Sequence, residues 1–357
     1  MKQIDFSIII VTHNGLKYID ACVDSIFSSH IQNFEIIVVD NGSSDDTIKY
    51  LTNKYSKHTN LQIVPLDKNY GPARARNEGV KVAQGLYLGF LDNDTEVHKD
   101  WATHAKKAFE KDKKLGVIQC KLLLNKERHK LDYIGEYLGS NGFLVQKIPS
   151  ATIDDGSYDK EYYILAAKSA GMFIRKNVFD RIGGFDASYF IYVEETDLGW
   201  RVWLAGYTAK FIPVSVVYHE FGTSTVILGT KATNYNSKFH GTKNYIQTHI
   251  KNLGTAGLVT ILPLHITLWI GLSLFSLLKR QWKSSLWIME GILWNVIHLP
   301  ETLVKRRKIQ KARRVKDAYL FKMFMKKMPF SYFFNKANVK HKIGNAESFN
   351  KLSDTNK

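Results

Sequence analysis

The sequence predicts an α/β protein with a mostly parallel central sheet flanked by helices, followed by a helical, membrane-associated C-terminal extension. Short apolar segments alternate with helical patterns through the first hundred residues, and strand–helix–strand units with short connections form parallel sheets. The 357 residues are too many for one small core. A segment without a charged side chain, residues 253–278, begins the last third of the chain.

The first elements follow from apolar runs and their period. β-Branched residues at 7–11 predict a buried strand, and apolar side chains at helical spacing predict a helix over 16–28. Pro72 is a favourable first residue for the third helix. The other elements of this half are predicted as strands at 34–39, 61–66 and 85–91 and as helices that end near residues 55 and 84.

Polar side chains stand where three of these strands end, at Thr12, Asp40 and Asp92. Open α/β sheets bind ligands at the carboxyl ends of their strands. Asp92 and Asp94 are two residues apart, and such a pair is stabilised by a divalent cation that also binds phosphate. Asp-Asn-Asp is also ordinary turn chemistry, but the repetition at three strand ends favours a nucleotide-type site.

The usual phosphate-binding loops are missing. Thr12-His13-Asn14-Gly15 follows the first strand in place of Gly-x-Gly-x-x-Gly, and no Walker A sequence occurs. A phosphate group must be neutralised in another way. We expect a metal held by Asp92 and Asp94, with Arg74 or Arg76 as a helper, although either arginine alone suits a solvated helix face equally well.

The second half contains another acidic cluster, Glu194-Glu195-Thr196-Asp197, ahead of a predicted helix over 198–205. Acidic residues at a helix N-terminus interact favourably with the helix dipole, and this structural role requires no catalytic function. Three acids in four positions also raise the pKa of one of them, which suits a general base. His219 ends the following strand, so a metal ligand, a phosphate contact and a structural role all remain open. The elements around this cluster are predicted as a helix at 100–111, a strand at 115–124, loops and short strands at 125–165, a strand at 171–175, a helix at 177–182 and a strand at 211–218.

Charge and cysteine usage narrow the class of protein. Of the net charge of +17, a surplus of 12 lies in residues 301–357, which hold 16 Lys and Arg against 4 Asp and Glu. This basic tail suggests an anionic lipid or nucleic acid partner. Cys22 and Cys120 both lie in apolar patterns, so we expect no disulfide and a reducing compartment. Residues 1–5 lead directly into a strand, which predicts no signal peptide.

Taken together, the motifs resemble a known family. The motifs, in order, are the strand from Ser7 to Asn14, Asp40-Asn41-Gly42-Ser43-Ser44-Asp45, Asn69-Tyr70-Gly71-Pro72-Ala73-Arg74-Ala75-Arg76-Asn77, Asp92-Asn93-Asp94, Gly183-Gly184-Phe185-Asp186, Glu194-Glu195-Thr196-Asp197-Leu198 and His219. The set, over about residues 5–225, resembles the inverting family-2 glycosyltransferases of the Rossmann-like GT-A fold, especially the rhamnosyltransferase-like branch.

The resemblance implies roles for individual residues. Asp92 and Asp94 match the Asp-x-Asp motif that holds Mg²⁺ or Mn²⁺, and His219 is similar to a third metal ligand in some members. Glu195 stands where the family has the Asp of its Glu-Asp pair, the catalytic base. Because Glu reaches one methylene further than Asp, Asp197 remains a rival base. The nucleotide-sugar-binding residues implied by the resemblance are Thr12, Asn14, Asp40, Asn69, Arg76, Asp92 and Asn93. The residues expected to shape an acceptor pocket are Trp200 and Arg201, with Tyr192 beside them, although Trp200 suits a core position equally well.

The implied reaction is a direct displacement. The donor is a UDP- or dTDP-sugar, the metal stabilises the departing nucleoside diphosphate, and Glu195 takes the proton of an acceptor hydroxyl that attacks the anomeric carbon with inversion. The acceptor expected from this resemblance, together with the apolar extension, is a lipid-linked glycan at the cytoplasmic face of the cell membrane.

The C-terminal third predicts membrane association. Residues 253–278 are long enough to span a bilayer, whereas the apolar stretch at 285–299 is too short. The cations at 305–316 suit anionic headgroups, and the basic block has no interleaved aromatics for stacking on nucleic acid bases. We favour helices in the membrane interface over a span because Pro263 and His265 should interrupt the longer segment, and a buried hairpin of a soluble protein remains the alternative. The expected divisions are a catalytic domain at 1–228, a membrane-associated helical region at 229–330 and a flexible polar tail at 331–357.

Other classes fit less well. A sugar-nucleotidyltransferase shares the sheet and the metal aspartates, but it needs a glycine-rich basic loop that Thr12-His13-Asn14-Gly15 does not provide. A non-catalytic, membrane-anchored module that binds nucleotide sugars would not need the full acidic set of Asp92, Asp94, Glu195 and Asp197.

Overall fold

A large mixed sheet forms the centre of the computed structural model, which describes residues 3–220 and 230–328. The strands of this sheet are β1 Phe6–Thr12, β2 Phe34–Asp40, β3 Leu61–Pro65, β4 Tyr87–Asp92, β5 Thr95–Val97, β6 Leu115–Leu124, β7 Lys130–Tyr133, β10 Thr152–Ile153, β11 Tyr162–Tyr163, β12 Met172–Arg175 and β13 Thr208–His219. A small second sheet contains β8 Glu136–Gly139, β9 Leu144–Gln146 and β14 Met325–Lys326. The helices of this half are α1 Ile19–Phe27, α2 Thr47–Lys54, α3 Pro72–Val82, α4 Trp101–Lys111, α5 Lys176–Ile182 and α6 Glu194–Leu204.

The first four long strands are parallel, in the order β3-β2-β1-β4, as the sequence predicts. The pairing places Thr12 opposite Asp40 and Val11 opposite Asp92. Three of the predicted polar strand ends therefore meet at one edge of the sheet. Beyond β4 the sheet becomes mixed, because β12 runs antiparallel to both β4 and β6, while β6 and β13 are again parallel.

Element boundaries differ from the predictions at two places near the site. α6 begins at Glu194, four residues before the predicted start, because the acidic residues form the first helical turn and suit its dipole. The strand expected from residue 171 begins at Met172, after a short 3₁₀ turn over Ser169–Gly171. Residues 125–165 form the short strands β7 to β11 and their loops, as expected.

The extension is helical and packs directly on the sheet half. It contains α7 Gly241–Asn252, α8 Thr255–Leu278, α9 Trp282–Ile297, α10 Leu299–Ala312 and α11 Asp317–Phe324, with a π-helical turn at Asn236–His240 before α7. Almost every side chain of α7 is buried, between α6 on one side and α8, α9 and α10 on the other.

One expectation about the extension was wrong. Pro263 and His265 do not interrupt the apolar segment, because α8 runs through both residues without a break. Pro263 is exposed and His265 is fully buried, so the proline ring points away from the packed side of the helix. The division expected at residue 228 and the tail at 331–357 lie outside the described residues.

Candidate active site

The edge at which β1, β2 and β4 end carries a connected set of polar groups. Asn93 donates a hydrogen bond from Nδ2 to Oγ1 of the buried Thr12, at 3.1 Å. The carbonyl oxygen of Thr12 accepts a hydrogen bond from the backbone N–H of Asn41, at 2.8 Å. The loops after β1, β2 and β4 are therefore joined to one another, which gives this edge a fixed shape.

Asp40 is fully buried at this edge and only half of its carboxylate is used. Oδ2 accepts a hydrogen bond from the N–H of Ser43, at 3.0 Å, whereas Oδ1 has no hydrogen-bond partner among the described residues. A buried carboxylate oxygen without a donor is costly. The unused oxygen therefore suits a ligand that brings its own donor, such as a base N–H or a ribose hydroxyl.

Two asparagines shape the loops around Asp40. Asn14 adopts a left-handed conformation (φ 52°), and its Oδ1 accepts a hydrogen bond from the N–H of Ser44, at 2.8 Å. Asn69 accepts hydrogen bonds from Nδ2 of Asn41 (3.0 Å) and from the N–H of Gly71 (2.9 Å). Both side chains therefore hold backbone in place, and in this structure Asn69 acts on the loop that enters α3.

Asp92, Asp94 and His219 form a cluster whose ligand atoms all lie within 4.8 Å of one another. His219 Nε2 is 3.6 Å from Oδ1 of Asp94. Two carboxylates and an imidazole are a donor set that Mg²⁺ and Mn²⁺ accept. The residues present therefore fit the divalent cation that the sequence predicts.

Asp132 orients the histidine of this cluster. Its Oδ2 is 2.8 Å from Nδ1 of His219, so a neutral imidazole that donates from Nδ1 directs the lone pair of Nε2 towards Asp94. Burial lowers the pKa of His219, but the hydrogen bond to Asp132 and the charges of Asp94, Asp132 and Asp92 outweigh burial and raise that pKa to about 9. A metal at this cluster would displace the imidazole proton, because a histidine binds a metal through an unprotonated ring nitrogen.

Arg76 links the metal cluster to the second acidic cluster. Its guanidinium donates from Nη2 to Oδ1 of Asp92 (3.0 Å) and from Nη1 to Oε1 of Glu194 (3.2 Å). Burial lowers the pKa of Arg76, but the charges of Asp92, Glu195 and Glu194 raise it overall. The arginine therefore stays charged between three carboxylates, next to the cluster of Asp92, Asp94 and His219.

The two glutamates of the second cluster differ in environment. Glu195 is partly exposed, and its Oε1 accepts hydrogen bonds from the N–H of Ser169, at 2.6 Å, and from the Ser169 hydroxyl. Glu194 is buried, and burial together with the charge of Glu195 raises its pKa to about 7 in spite of Arg76. Glu195 is thus the oriented, accessible carboxylate, and Glu194 is a structural partner of the arginine.

Asp197, the alternative candidate for the catalytic base, lies in a different environment from Glu195. It is fully buried, with Oδ2 2.8 Å from Arg201 and Oδ1 2.9 Å from both Lys251 and Asn252. Burial alone would raise its pKa, but the charges of Arg201 and Lys251 lower it overall. A carboxylate whose pKa is lowered by two enclosing cations is a poor proton acceptor, so the geometry favours Glu195.

The expected acceptor residues lie in the interior. Trp200 is 1% exposed and Arg201 is 6% exposed. Arg201 donates to Asp197 and, from Nη1, to the carbonyl oxygen of Ile182 at 2.7 Å. The assignment of Trp200 and Arg201 to an acceptor pocket is therefore corrected, because both belong to the packed side of α6 and reach no open surface.

The backbone before α6 is strained. Tyr192 (φ 71°) and Val193 (φ 67°) both have left-handed conformations, which a β-branched residue rarely adopts. Asn244 on α7 donates from Nδ2 to the carbonyl oxygens of Ile191 (2.9 Å) and Tyr192 (2.7 Å). The helical extension thus helps to hold the turn that presents Glu194 and Glu195.

Two family profiles match the chain. The profile described as Glycosyl transferase family group 2 matches residues 87–334, more than half of the chain, and the profile described as Glycosyl transferase family 2 matches residues 7–149. The chain belongs to the family-2 glycosyltransferases.

Curated relatives of this family-2 chain match only part of their own length. Poly-beta-1,6-N-acetyl-D-glucosamine synthase of Staphylococcus epidermidis is 26% identical over 211 residues, which are 58% of this chain and 48% of the relative. Chondroitin synthase of Escherichia coli is 34% identical over 112 residues, which are 31% of this chain and 16% of the relative. The chain thus spans less than half of the length of either relative.

Solved structures match most of the chain at low identity. Residues 1–349 of S. aureus TarS align with a TM-score of 0.55 and 20% identity, over 88% of this chain and 91% of that chain. The mannosyltransferase PcManGT from Pyrobaculum calidifontis aligns with a TM-score of 0.53 and 15% identity, over 87% and 86%. These similarities confirm the GT-A fold that the resemblance implies.

The structure adds site residues that the sequence analysis missed. Asp132 and Ser169 lie in stretches without a clear motif, and only the folded chain brings them to His219 and Glu195. Asn41 could have been predicted as a site residue, since it lies in the motif that follows β2. Its hydrogen bond to Asn69, however, depends on a tertiary contact.

Proposed function

We propose that this protein is a metal-dependent, inverting glycosyltransferase that transfers a sugar from a nucleoside-diphosphate sugar to a hydroxyl group of a glycan acceptor. One observation carries the proposal: Arg76 bridges the metal-type cluster at Asp92 and the acidic pair that contains Glu195. The arrangement places groups for a departing diphosphate beside a carboxylate that can take a proton. Among the expected bases, Glu195 is preferred to Asp197.

The residues divide the chemistry between them. Asp92, Asp94 and His219 would hold Mg²⁺ or Mn²⁺, which supplies positive charge to the departing diphosphate when bound. Arg76 adds a fixed positive charge at the same place. Ser169 occupies Oε1 of Glu195, so we assign Oε2 to accept the proton of the acceptor hydroxyl. The acceptor oxygen then bonds to the anomeric carbon as the bond to the diphosphate breaks, and the configuration inverts.

The donor and acceptor are narrower proposals. S. aureus TarS is known in complex with UDP-GlcNAc, PcManGT in complex with GDP-Man and Mn²⁺, and one relative is a poly-beta-1,6-N-acetyl-D-glucosamine synthase. These names make UDP-N-acetylglucosamine the first donor to test, ahead of the dTDP-sugars that the sequence leaves equally open. For the acceptor we propose a lipid-linked glycan reached from the cytoplasmic face of the membrane, with the membrane-associated part beginning after α7, because α7 packs with the catalytic half.

The test is a panel of nucleotide sugars with Mn²⁺, assayed for release of nucleoside diphosphate with and without a lipid-linked acceptor. We expect release from at least one donor, loss of that release in Asp94→Ala, and loss of turnover but not of donor binding in Glu195→Gln. Glu127→Gln, an exposed glutamate paired with Lys130, is the matched control. Absence of release from every donor, or equal release by Asp94→Ala, would refute the proposal.

A further inference from the structure

The helices α8 and α9 expose large apolar residues on their outer faces and bury many polar or small residues on their packed faces. Large apolar residues are exposed, among them Val259 (67%), Leu274 (57%), Leu278 (83%) and Val296 (64%). The positions buried against the rest of the protein include apolar residues, Ile261, Leu268, Trp269 and Ile288, but more than half of them are polar or small: Gly257, His265, Ser273, Ser276, Ser285, Gly291 and Asn295. In a water-soluble helix the apolar face is turned inwards, so the outer faces of these helices are suited to a hydrocarbon environment.

Several of the buried polar groups are hydrogen-bonded within the helical extension, although Oδ1 of Asn295 has no partner among the described residues. The hydroxyls of Ser273 and Ser285 are 2.7 Å apart between the two helices. Asn295 donates from Nδ2 to the carbonyl oxygens of Lys243 (3.0 Å) and Gly291 (2.9 Å). Small and hydroxyl-bearing residues between helices, with large apolar residues outside, are typical of helices that contact lipid.

α8 is long and apolar enough to cross a membrane, and no other described helix is. The midpoint of α8, however, is tied to the catalytic half of the protein. His265 donates from Nδ1 to the carbonyl oxygen of Asn141 (3.0 Å) and accepts from Trp269 (2.9 Å), and His249 of α7 donates to the carbonyl of Gly142 (3.0 Å). If α8 spanned the bilayer, this loop and the strands β8 and β9 beside it would lie at its centre, where irregular backbone facing lipid is not tolerated.

The partner helix is also too short for a span. α9 has 16 residues, or about 24 Å at 1.5 Å per residue, against a hydrocarbon core of about 30 Å. The turn between the helices carries Lys279 and Arg280, Lys283 is the second residue of α9, and all three are exposed. Charges at the tip of the hairpin oppose its insertion into the hydrocarbon core.

The charges around the exposed faces match an anionic surface. Between residues 279 and 316 the exposed cations are Lys279, Arg280, Lys283, Arg307, Lys308, Lys311, Arg314 and Lys316. The exposed acids in the same range are Glu290 and Glu301. The exposed part of α8 itself carries no charge. Apolar helix faces next to an excess of exposed cations, here Lys279, Arg280 and Lys283 at the turn between α8 and α9, are typical of helices that lie in a membrane interface.

We propose that α8 and α9 dock as a flat, one-leaflet anchor on an anionic phospholipid bilayer. Their exposed faces sit among the headgroups and upper acyl chains, and neither helix crosses. The catalytic half thereby stays on the surface that it docks to. The docking does not depend on the transfer reaction, so its test uses no nucleotide sugar and can fail while the proposed function stands.

The first test is co-flotation of the full chain with vesicles of phosphatidylcholine and phosphatidylglycerol. Leu274 of α8 and Leu293 of α9 are 57% and 56% exposed, and we expect the double variant Leu274→Asp/Leu293→Asp to bind about tenfold more weakly or worse. Ile153→Asp is the control, because Ile153 is equally exposed (63%) on the edge strand β10, and it should bind like the wild type. Lys279→Gln and Lys283→Gln should each weaken binding about fivefold, and only when phosphatidylglycerol is present.

Two results overturn the proposal. One is undiminished binding by the Leu274→Asp/Leu293→Asp variant. The other is a lipid-free wild-type dimer, seen by light scattering, that this variant converts to a monomer while wild type binds no vesicles; the face would then join two copies of the chain.

The second test distinguishes helices that lie on the bilayer surface from helices that cross the bilayer. Gln281→Cys places a thiol in the exposed turn between α8 and α9, and the natural Cys22 and Cys120 are both fully buried. A membrane-impermeant maleimide should label Gln281→Cys fully on intact vesicles. Labelling only after detergent is added would show that the turn has crossed the bilayer, and would overturn the flat arrangement.

Discussion

The variant Arg76→Met tests how much the ion pairs of Arg76 with Asp92 and Glu194 stabilise the fold, and whether the protonation of Glu194 makes that contribution depend on pH. Met keeps most of the aliphatic volume and removes the charge. Two pairs are lost. The pair with Asp92, whose side chain is 35% exposed, is screened by solvent and should be worth about 1 kcal/mol or less. The pair with Glu194 lies between side chains that are each 5% exposed.

Breaking a buried pair by removing one partner generally costs about 3–5 kcal/mol, but Glu194 limits that cost. Its pKa in the folded protein is about 7, against 4.5 for an ordinary Glu. A folded pKa raised in this way gives stability that is complete below about pH 4.5 and is lost as the pH rises through 7. In Arg76→Met the carboxyl can stay protonated instead of ionising unpaired. At pH 8, one pH unit above the pKa of Glu194 in the wild type, the variant therefore loses about 1.4 kcal/mol more of its free energy of unfolding than it does below pH 7.

The expected free energy of unfolding is thus lower than that of the wild type by about 1 kcal/mol at pH 6 and by about 2–3 kcal/mol at pH 8. Urea denaturation followed by tryptophan fluorescence at both pH values measures the difference. Arg76→Met/Glu194→Gln should lose the same amount at both pH values. Lys81→Met, an exposed cation on the same helix α3, should stay within about 0.5 kcal/mol of the wild type. A loss in Arg76→Met that does not change with pH would refute the reasoning.

Three further predictions concern residues around the site. Asp132→Asn should weaken Mn²⁺ binding about 10- to 100-fold, because it releases the imidazole of His219; an unchanged affinity in calorimetry would show that the histidine needs no such partner. Asp197→Asn should lower the free energy of unfolding by about 3–5 kcal/mol, because it leaves buried cations short of a counter-charge, yet kcat of the folded fraction should remain within about tenfold. A complete loss of turnover at full stability would return Asp197 to the role of base. Gly71→Ala should destabilise by about 1–3 kcal/mol in thermal unfolding, since Gly71 has φ +79° and an added Cβ would collide with a neighbouring carbonyl oxygen; a variant as stable as the wild type would contradict that geometry.

The sheet and its ligand-binding edge were predictable because their signals are local. Each parallel strand is a short apolar run, and each ends on a polar residue whose position at the edge follows from the parallel pairing of β1, β2 and β4. The metal-type cluster required one long-range step, since His219 comes from β13 and reaches Asp94 through the pairing of β13 with β5. The prediction that His219 is a metal ligand rested on the family resemblance as much as on the position of His219 at the end of a strand.

The roles of residues on α6 were not predictable in the same way. A helix start with three acids shows that charge is concentrated there, but not which carboxylate faces the site. That depends on Ser169, which arrives from a turn with no motif, and on Lys251, which lies beyond the segment that was expected to end the catalytic part. Trp200 and Arg201 stand close to the acids in sequence but on the inner face of the helix, which spacing alone does not distinguish.

The packing of α7 decides where the chain can be recombined with a relative. Lys251 and Asn252 complete the surroundings of Asp197, and Asn244 holds the turn before α6, so α7 belongs structurally with the half that precedes it. The junction of a hybrid enzyme that exchanges the membrane-facing helices should therefore fall after Asn252, at the short connection to α8, and not at residue 228. If the hybrid were joined at residue 228, the α7 of the relative would have to replace both Lys251 as the cation beside Asp197 and Asn244 as the amide that holds the strained turn.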